Sequence, residues 1–160
     1  MAADRDGNAE KILFGEGAVM LNMTLKGTYT HSIDAKGRMA FPQKLRDKLG
    51  SAFIVTIGKS CLNVYSPDEW DRYCDELRTL SGGKTAAAKL IVNRAIDVET
   101  DSQGRVLITK ELREYAGLSK DVTVVGVINH AEIWDSSRYN EFAESVSETD
   151  LADVLDSFAF

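Results

Sequence analysis

The stretch Asp34-Ala35-Lys36-Gly37-Arg38 decides how this chain is read, because it returns as Asp101-Ser102-Gln103-Gly104-Arg105 after a shift of 67 residues. Over residues 33–50 the same shift gives six identities in 18 positions: Asp34, Gly37, Arg38, Leu45, Arg46 and Gly50. Average residue usage would give about one. Apolar character is kept where residues differ, with Met39 over Val106, Ala40 over Leu107 and Phe41 over Ile108. Two single-residue adjustments later, Leu62-Asn63-Val64-Tyr65 lies over Ala131-Glu132-Ile133-Trp134. An apolar helix face repeats as well: Trp70, Tyr73, Cys74 and Leu77 correspond to Tyr139, Phe142, Ala143 and Val146. The chain is one small unit written twice.

Period and punctuation outline that unit. Residues 27–33 carry β-branched and aromatic side chains and read as a strand. Asp34 to Gly37 is a turn, since aspartate accepts local backbone hydrogen bonds and glycine permits positive φ. Residues 38–41 return as a second strand, and residues 42–49 form a short helix closed by Gly50, with Leu45 and Leu49 inward. Residues 53–57 and 62–65 are two further strands around Gly58-Lys59-Ser60. Ser66-Pro67-Asp68-Glu69 has the form of a capping box with proline at the first helical position, and Asp135 takes the same cap place in the second copy. That copy reads likewise: a strand up to Thr100, a turn at residues 101–104, a strand over 105–108, a helix ending at Gly117, and strands over 122–127 and 131–134. Ser81-Gly82-Gly83 breaks the chain before an alanine-rich helical connector over residues 84–93. Leu151, Val154, Leu155 and Phe158 recur at helical spacing in an acidic closing segment.

Charge is unevenly spread. The formal net charge is −6. Residues 26–50 hold Lys26, Lys36, Arg38, Lys44, Arg46 and Lys48 against Asp34 and Asp47, which is +6 − 2 = +4. Residues 141–160 hold six acids and no basic residue, so the acidic end accounts for the whole excess. Phosphate attraction depends on nearby charge more than on the total, so a local basic surface is compatible with the balance. No run approaches the ~18 apolar residues of a membrane span, and residues 1–22 do not read as a signal peptide. Cys61 and Cys74 form neither a metal-spaced cluster nor a disulfide framework, which fits a reducing cytoplasm. His31 and His130 belong to no metal pattern or triad, and no phosphate-binding loop, dinucleotide fingerprint or paired catalytic carboxylates occur. The expectation is a non-enzyme with no cofactor, no metal and no small-molecule substrate.

Paired strands around Asp-x-x-Gly-Arg, a short helix and a second strand pair resemble the SpoVT/AbrB class of swapped-hairpin DNA-binding domains. Two in tandem, with the run Gly27 to Arg38 near the start, resemble the MraZ family of bacterial transcriptional regulators, over roughly residues 23–146. The resemblance implies a mixed α/β, β-rich fold: two tandem double-split β-α-β units forming an intrachain pseudo-dimer. The expected divisions are an extension over residues 1–22, flexible or a misassigned start; a first domain over 27–75; a helical linker over 82–94; a second domain over 98–142; and an acidic tail over 147–160. It further implies a ring-like homo-oligomer that binds repeated short boxes in double-stranded promoter DNA of the division and cell-wall gene cluster, usually as a repressor, in the cytoplasm at the nucleoid.

The motif positions carry over onto Asp34, Gly37, Arg38, Asp101, Gly104 and Arg105. Arginine presents a planar fork that pairs with two guanine acceptors at once. The aspartate holds the turn or orients the arginine through a charge-assisted hydrogen bond. Lys36, Arg46 and Arg113 are candidates for phosphate contacts that position without specifying. Ser102-Gln103 replaces Ala35-Lys36, so the second copy lacks one cation. Blander readings stand beside these: an Asp–Arg pair four residues apart is often a surface ion pair closing a hairpin, and Arg46 and Arg113 read equally well as solvated helix charges. Trp70, Tyr73, Tyr139 and Phe142 read as core or subunit interface. The alternative function is a ring-forming interaction protein with the acidic tail as docking element and no direct DNA role.

Overall fold

The computed structural model describes residues 10–13, 18–21 and 24–158. The expectation of a flexible extension over residues 1–22 therefore falls largely outside the described residues. Within that stretch, β1 (Glu10–Leu13) and β2 (Ala18–Leu21) pair antiparallel as a two-stranded sheet of their own.

The first unit begins with β3 (Thr28–Ser32), turns at Asp34 to Gly37, and returns as β4 (Arg38–Ala40). Pro42 caps α1 (Gln43–Leu49), which buries Leu45 and Leu49 and stops at Gly50, whose φ of 96° glycine accepts readily. β5 (Ala52–Ile57) and β6 (Leu62–Tyr65) follow. Ser66 caps α2 (Pro67–Leu77), its hydroxyl accepting from the Glu69 amide at 3.3 Å. The connector α3 (Lys84–Asn93) is held where the buried Thr56 hydroxyl donates to the Ile91 carbonyl at 2.6 Å. The second unit repeats the order as β7 (Ile96–Glu99), β8 (Arg105–Leu107), α4 (Lys110–Ala116), β9 (Asp121–Val127), β10 (His130–Asp135) and α5 (Ser136–Ser145). An acidic helix, α6 (Glu148–Ser157), follows.

The two units trade strands. One six-stranded antiparallel sheet runs β3-β9-β10-β6-β5-β7, so the first strand of each unit pairs with the third strand of the other. Exchanging each strand for its equivalent reverses that order onto itself. The register fixes a pseudo-two-fold axis, because equivalent residues face each other twice: Asn63 opposite Glu132 at the middle of the sheet, and Met39 opposite Val106 in the separate β4–β8 pair. The chain is thus a strand-rich α/β fold of two tandem units built as a dimer within itself.

One face of the sheet carries the main core. Phe53, Val55, Leu62, Val64, Val98, Val122, Val124, Ala131 and Ile133 pack there with Leu45 and Leu49 of α1, Leu112 and Ala116 of α4, and Met39 and Val106 of the β4–β8 pair. Burying each such aliphatic side chain is worth about 1.5–3 kcal/mol, so the β4–β8 pair is fastened down by its inner face. The other face is covered by aromatic clusters, Tyr65 stacked on Tyr73 with Trp70 tilted beside it, and Trp134 stacked on Phe142 with Tyr139 edge-on. The cover is incomplete: Phe142 is exposed, and neither α2 nor α5 buries a residue fully. Among the described residues no helix is long and apolar enough to cross a membrane.

Candidate functional site

In β4 and β8 successive side chains point to opposite faces. Met39 and Val106 point inward and are 1% exposed; Arg38, Ala40, Arg105 and Leu107 consequently share the outer face. Arg38 lies opposite Leu107, and Ala40 opposite Arg105. The arginines are therefore diagonal neighbours, about 7–8 Å apart by sheet geometry, related by the axis through Met39 and Val106. Their side chains are 38% and 33% exposed. Two guanidinium groups emerge from one side of a narrow two-stranded ribbon.

Each arginine is presented by its own turn. Asp34 Oδ1 accepts from the amides of Lys36 and Arg38, both at 2.9 Å, while Oδ2 accepts from Arg38 Nε at 3.0 Å. Asp101 repeats this arrangement on Gln103 and Arg105 at 2.8, 2.9 and 2.9 Å. One carboxylate thus does both jobs suggested by the motif, holding the turn with one oxygen and orienting the arginine with the other. These bonds hold the carboxyl groups of Asp34 and Asp101 below the ordinary aspartate pKa, favouring the charged form. In each case the largest cause is the motif arginine's amide; the guanidinium and the second amide add to it, and desolvation works against it. The hydrogen bond engages Nε, so neither Nη group is taken up by the aspartate.

Arg46 and Arg113 occupy places that alternation and charge did not indicate. Arg46 Nε donates to the Phe41 carbonyl at 3.0 Å and Arg113 Nε to the Ile108 carbonyl at 3.1 Å. Each guanidinium then lies against the motif glycine of the other unit. A Cβ on Gly104 would fall 2.9 Å from Arg46 Nη2, and one on Gly37 would fall 3.0 Å from Arg113 Nε. Backbone bonds run beside them, from Phe41 N to Gly104 O at 3.1 Å and from Ile108 N to Gly37 O at 2.8 Å. The signal in the sequence was their fixed spacing of eight residues after Arg38 and Arg105. Each thus packs one unit's helix against the other unit's turn and, being partly exposed, adds positive charge beside it.

Among the sequence-derived residues, Asp34, Gly37, Arg38, Arg46, Asp101, Gly104, Arg105 and Arg113 meet in this one region, and Lys36 stands exposed at the tip of the first turn. Lys36, Arg38, Arg46, Arg105 and Arg113 against Asp34 and Asp101 give +5 − 2 = +3 locally. The negative excess lies elsewhere, with Glu148, Asp150, Asp153 and Asp156 on α6. Leu107, 55% exposed on the ribbon's outer face, was not singled out. Its run, Arg105-Val106-Leu107-Ile108, reads as uniformly apolar after the arginine, and only strict alternation turns Leu107 outward.

Comparison with known proteins agrees with this architecture. A family model described as "MraZ protein, putative antitoxin-like" matches twice in tandem, over residues 24–93 and 91–157. The chain is also similar to a protein of Lachnoclostridium phytofermentans named "Transcriptional regulator MraZ", with 42% identity over 137 residues, covering 79% of this chain and 97% of that protein.

Proposed function

The chain belongs to the MraZ family, and from that premise we propose that it is a transcriptional regulator reading short repeated boxes in promoter DNA through Arg38 and Arg105. The observation that carries this reading is the shared outward face of the two arginines on either side of the Met39–Val106 axis. The major groove admits a two-stranded antiparallel ribbon. In this reading β4 and β8 lie along its floor, each arginine sets its Nη pair against the O6 and N7 of a guanine, and Lys36, Arg46 and Arg113 answer phosphates. Asp34 and Asp101 hold each fork in its bound geometry before contact, so less freedom is lost on binding.

One such ribbon binds weakly, and repeated boxes call for repeated ribbons. Support for self-association is the uncovered apolar surface of Leu90, Val92, Phe142 and Val146. The full proposal is a ring-like homo-oligomer at the nucleoid in the cytoplasm. It acts without catalysis and represses the promoter of the division and cell-wall gene cluster.

Titration of the promoter fragment upstream of the encoding gene with wild type, Arg38→Ala, Arg105→Ala and the double variant tests the reading. Each single loss is expected to weaken binding about 5- to 150-fold, as for a bidentate arginine–guanine pair. Wild-type affinity should also fall steeply with salt. A folded double variant that binds as tightly as wild type overturns the proposal. So does an intact assembly that retains no fragment at low salt.

A further inference from the structure

We propose that Leu107 is a specificity residue, its side chain resting on the 5-methyl group of a thymine beside the guanine met by Arg38. This rests on the reading of the ribbon as the element that enters the groove. Four side chains form the ribbon's outer face: Arg38, Ala40, Arg105 and Leu107. The arginines are hydrogen-bond donors, and Ala40 is too short to reach far. Leu107 is the one large apolar group among them and is 55% exposed, while the core contact at this level is made by Val106. On the floor of the major groove the thymine methyl is the apolar feature that distinguishes one base pair from another. Leu107 faces Arg38 directly across the ribbon, so a fork placed on guanine puts the leucine over a neighbouring base pair.

The consequence is directional. Arg38 and Arg105 are interchangeable about the pseudo-axis, but Leu107 has Ala40 as its equivalent. The ribbon therefore tells its two ends apart and prefers one orientation on an asymmetric box.

The test is a substitution scan of the promoter fragment in which each thymine of the protected region is replaced in turn by deoxyuridine, which removes only the methyl. Wild type is expected to lose about fourfold in affinity at one thymine, the worth of one buried methyl. Leu107→Ala should lose a similar factor on thymine DNA and be indifferent to the uracil at that position, while remaining dependent on Arg38. A flat scan with wild type, when Arg38→Ala still weakens binding, overturns the role of Leu107 and leaves the ribbon reading intact. Undiminished binding by the double arginine variant overturns the ribbon reading itself. Light scattering closes the remaining route: Leu107→Ala should keep the wild-type assembly, and dispersal would place Leu107 between copies and overturn the proposal.

Discussion

Gly37 and Gly104 hold equivalent places in equivalent turns, at φ of 89° and 75°, yet alanine is expected to be much worse at the first. Either substitution puts a side chain on left-handed backbone, at about 1–2 kcal/mol. The surroundings then differ. A Cβ on Gly37 falls 2.5 Å from the Ile108 carbonyl oxygen, and that backbone is held by the bond from Ile108 N to Gly37 O at 2.8 Å. A Cβ on Gly104 has as its nearest three neighbours only the end of the Arg46 side chain, the closest at 2.9 Å. A guanidinium can move aside; the Ile108 carbonyl, one residue past β8, sits on backbone tied to Gly37 itself and yields less readily. Overpacking of this kind adds about 1–3 kcal/mol, so Gly37→Ala should lose about 2–5 kcal/mol and Gly104→Ala about 1–2 kcal/mol. In a chain of this size each kcal/mol lowers the melting temperature by about 2–4 °C. Thermal melts at matched protein concentration give the comparison. Equal destabilisation, or the greater loss at Gly104, would refute the inference that a Cβ at Gly37 meets fixed backbone where one at Gly104 meets only a movable side chain.

Asp34→Asn and Asp101→Asn keep an oxygen for the turn amides but put an NH2 where Oδ2 accepted from Arg Nε, so promoter affinity measured by fluorescence anisotropy should fall about 2- to 10-fold as the arginine regains its freedom. Removing a carboxylate near DNA would by charge alone strengthen binding, so tighter binding refutes the orienting role. Because both carboxyl groups titrate below the ordinary aspartate range, their stabilisation is complete above that range and is lost as pH falls through the lower folded-state value. Urea midpoints of wild type should drop below about pH 4, and the paired Asn variant should show a flatter acid limb. The Cys61 thiol is pushed up to about 12 by burial and then by the charge of Glu132; at pH 8 a disulfide reagent should modify the half-buried Cys74 first and reach Cys61 only on unfolding, and prompt reaction of both thiols would contradict this. Residues 24–82 expressed alone lack the β9 and β8 partners of β3 and β4, and should be a dimer or unfolded by analytical ultracentrifugation; a folded monomer would deny the exchange.

Much of this was legible before any coordinates, and the reason is local. The sites of β6, α2 and α3 follow from alternation, a capping box and an alanine-rich run, each readable within a dozen residues. The expected helix start at Pro42 moved by one residue, since proline there serves as the cap. Strand partners are another matter. Alternation in Thr28-Tyr29-Thr30-His31-Ser32 says which side chains share a face, and it is silent on whether β3 pairs with its own unit or with β9. The exchange entered through family resemblance. Arg46 and Arg113 illustrate the same limit: a cation beside apolar helix positions reads equally as a phosphate contact or a solvated charge, and only the crossing of the two hairpins brings it against a distant glycine.

That crossing also explains why the candidate site lies where it does. Neither unit owns the ribbon: β4 comes from one and β8 from the other, and each turn is braced by the arginine of the opposite helix. The paired guanidinium groups therefore exist only when both units are folded together, and what stabilises the pseudo-dimer also sets the spacing of the forks. Equivalent residues on the axis can diverge only by pairs that still fit face to face, as Met39 with Val106 does inside the core. Outside it no such restraint acts on Ala40 and Leu107, because solvent lies above both. An internal duplication of this design keeps its symmetry where strands pack and is free to lose it where solvent lies above, which is how one chain comes to hold two like arginines in unlike surroundings.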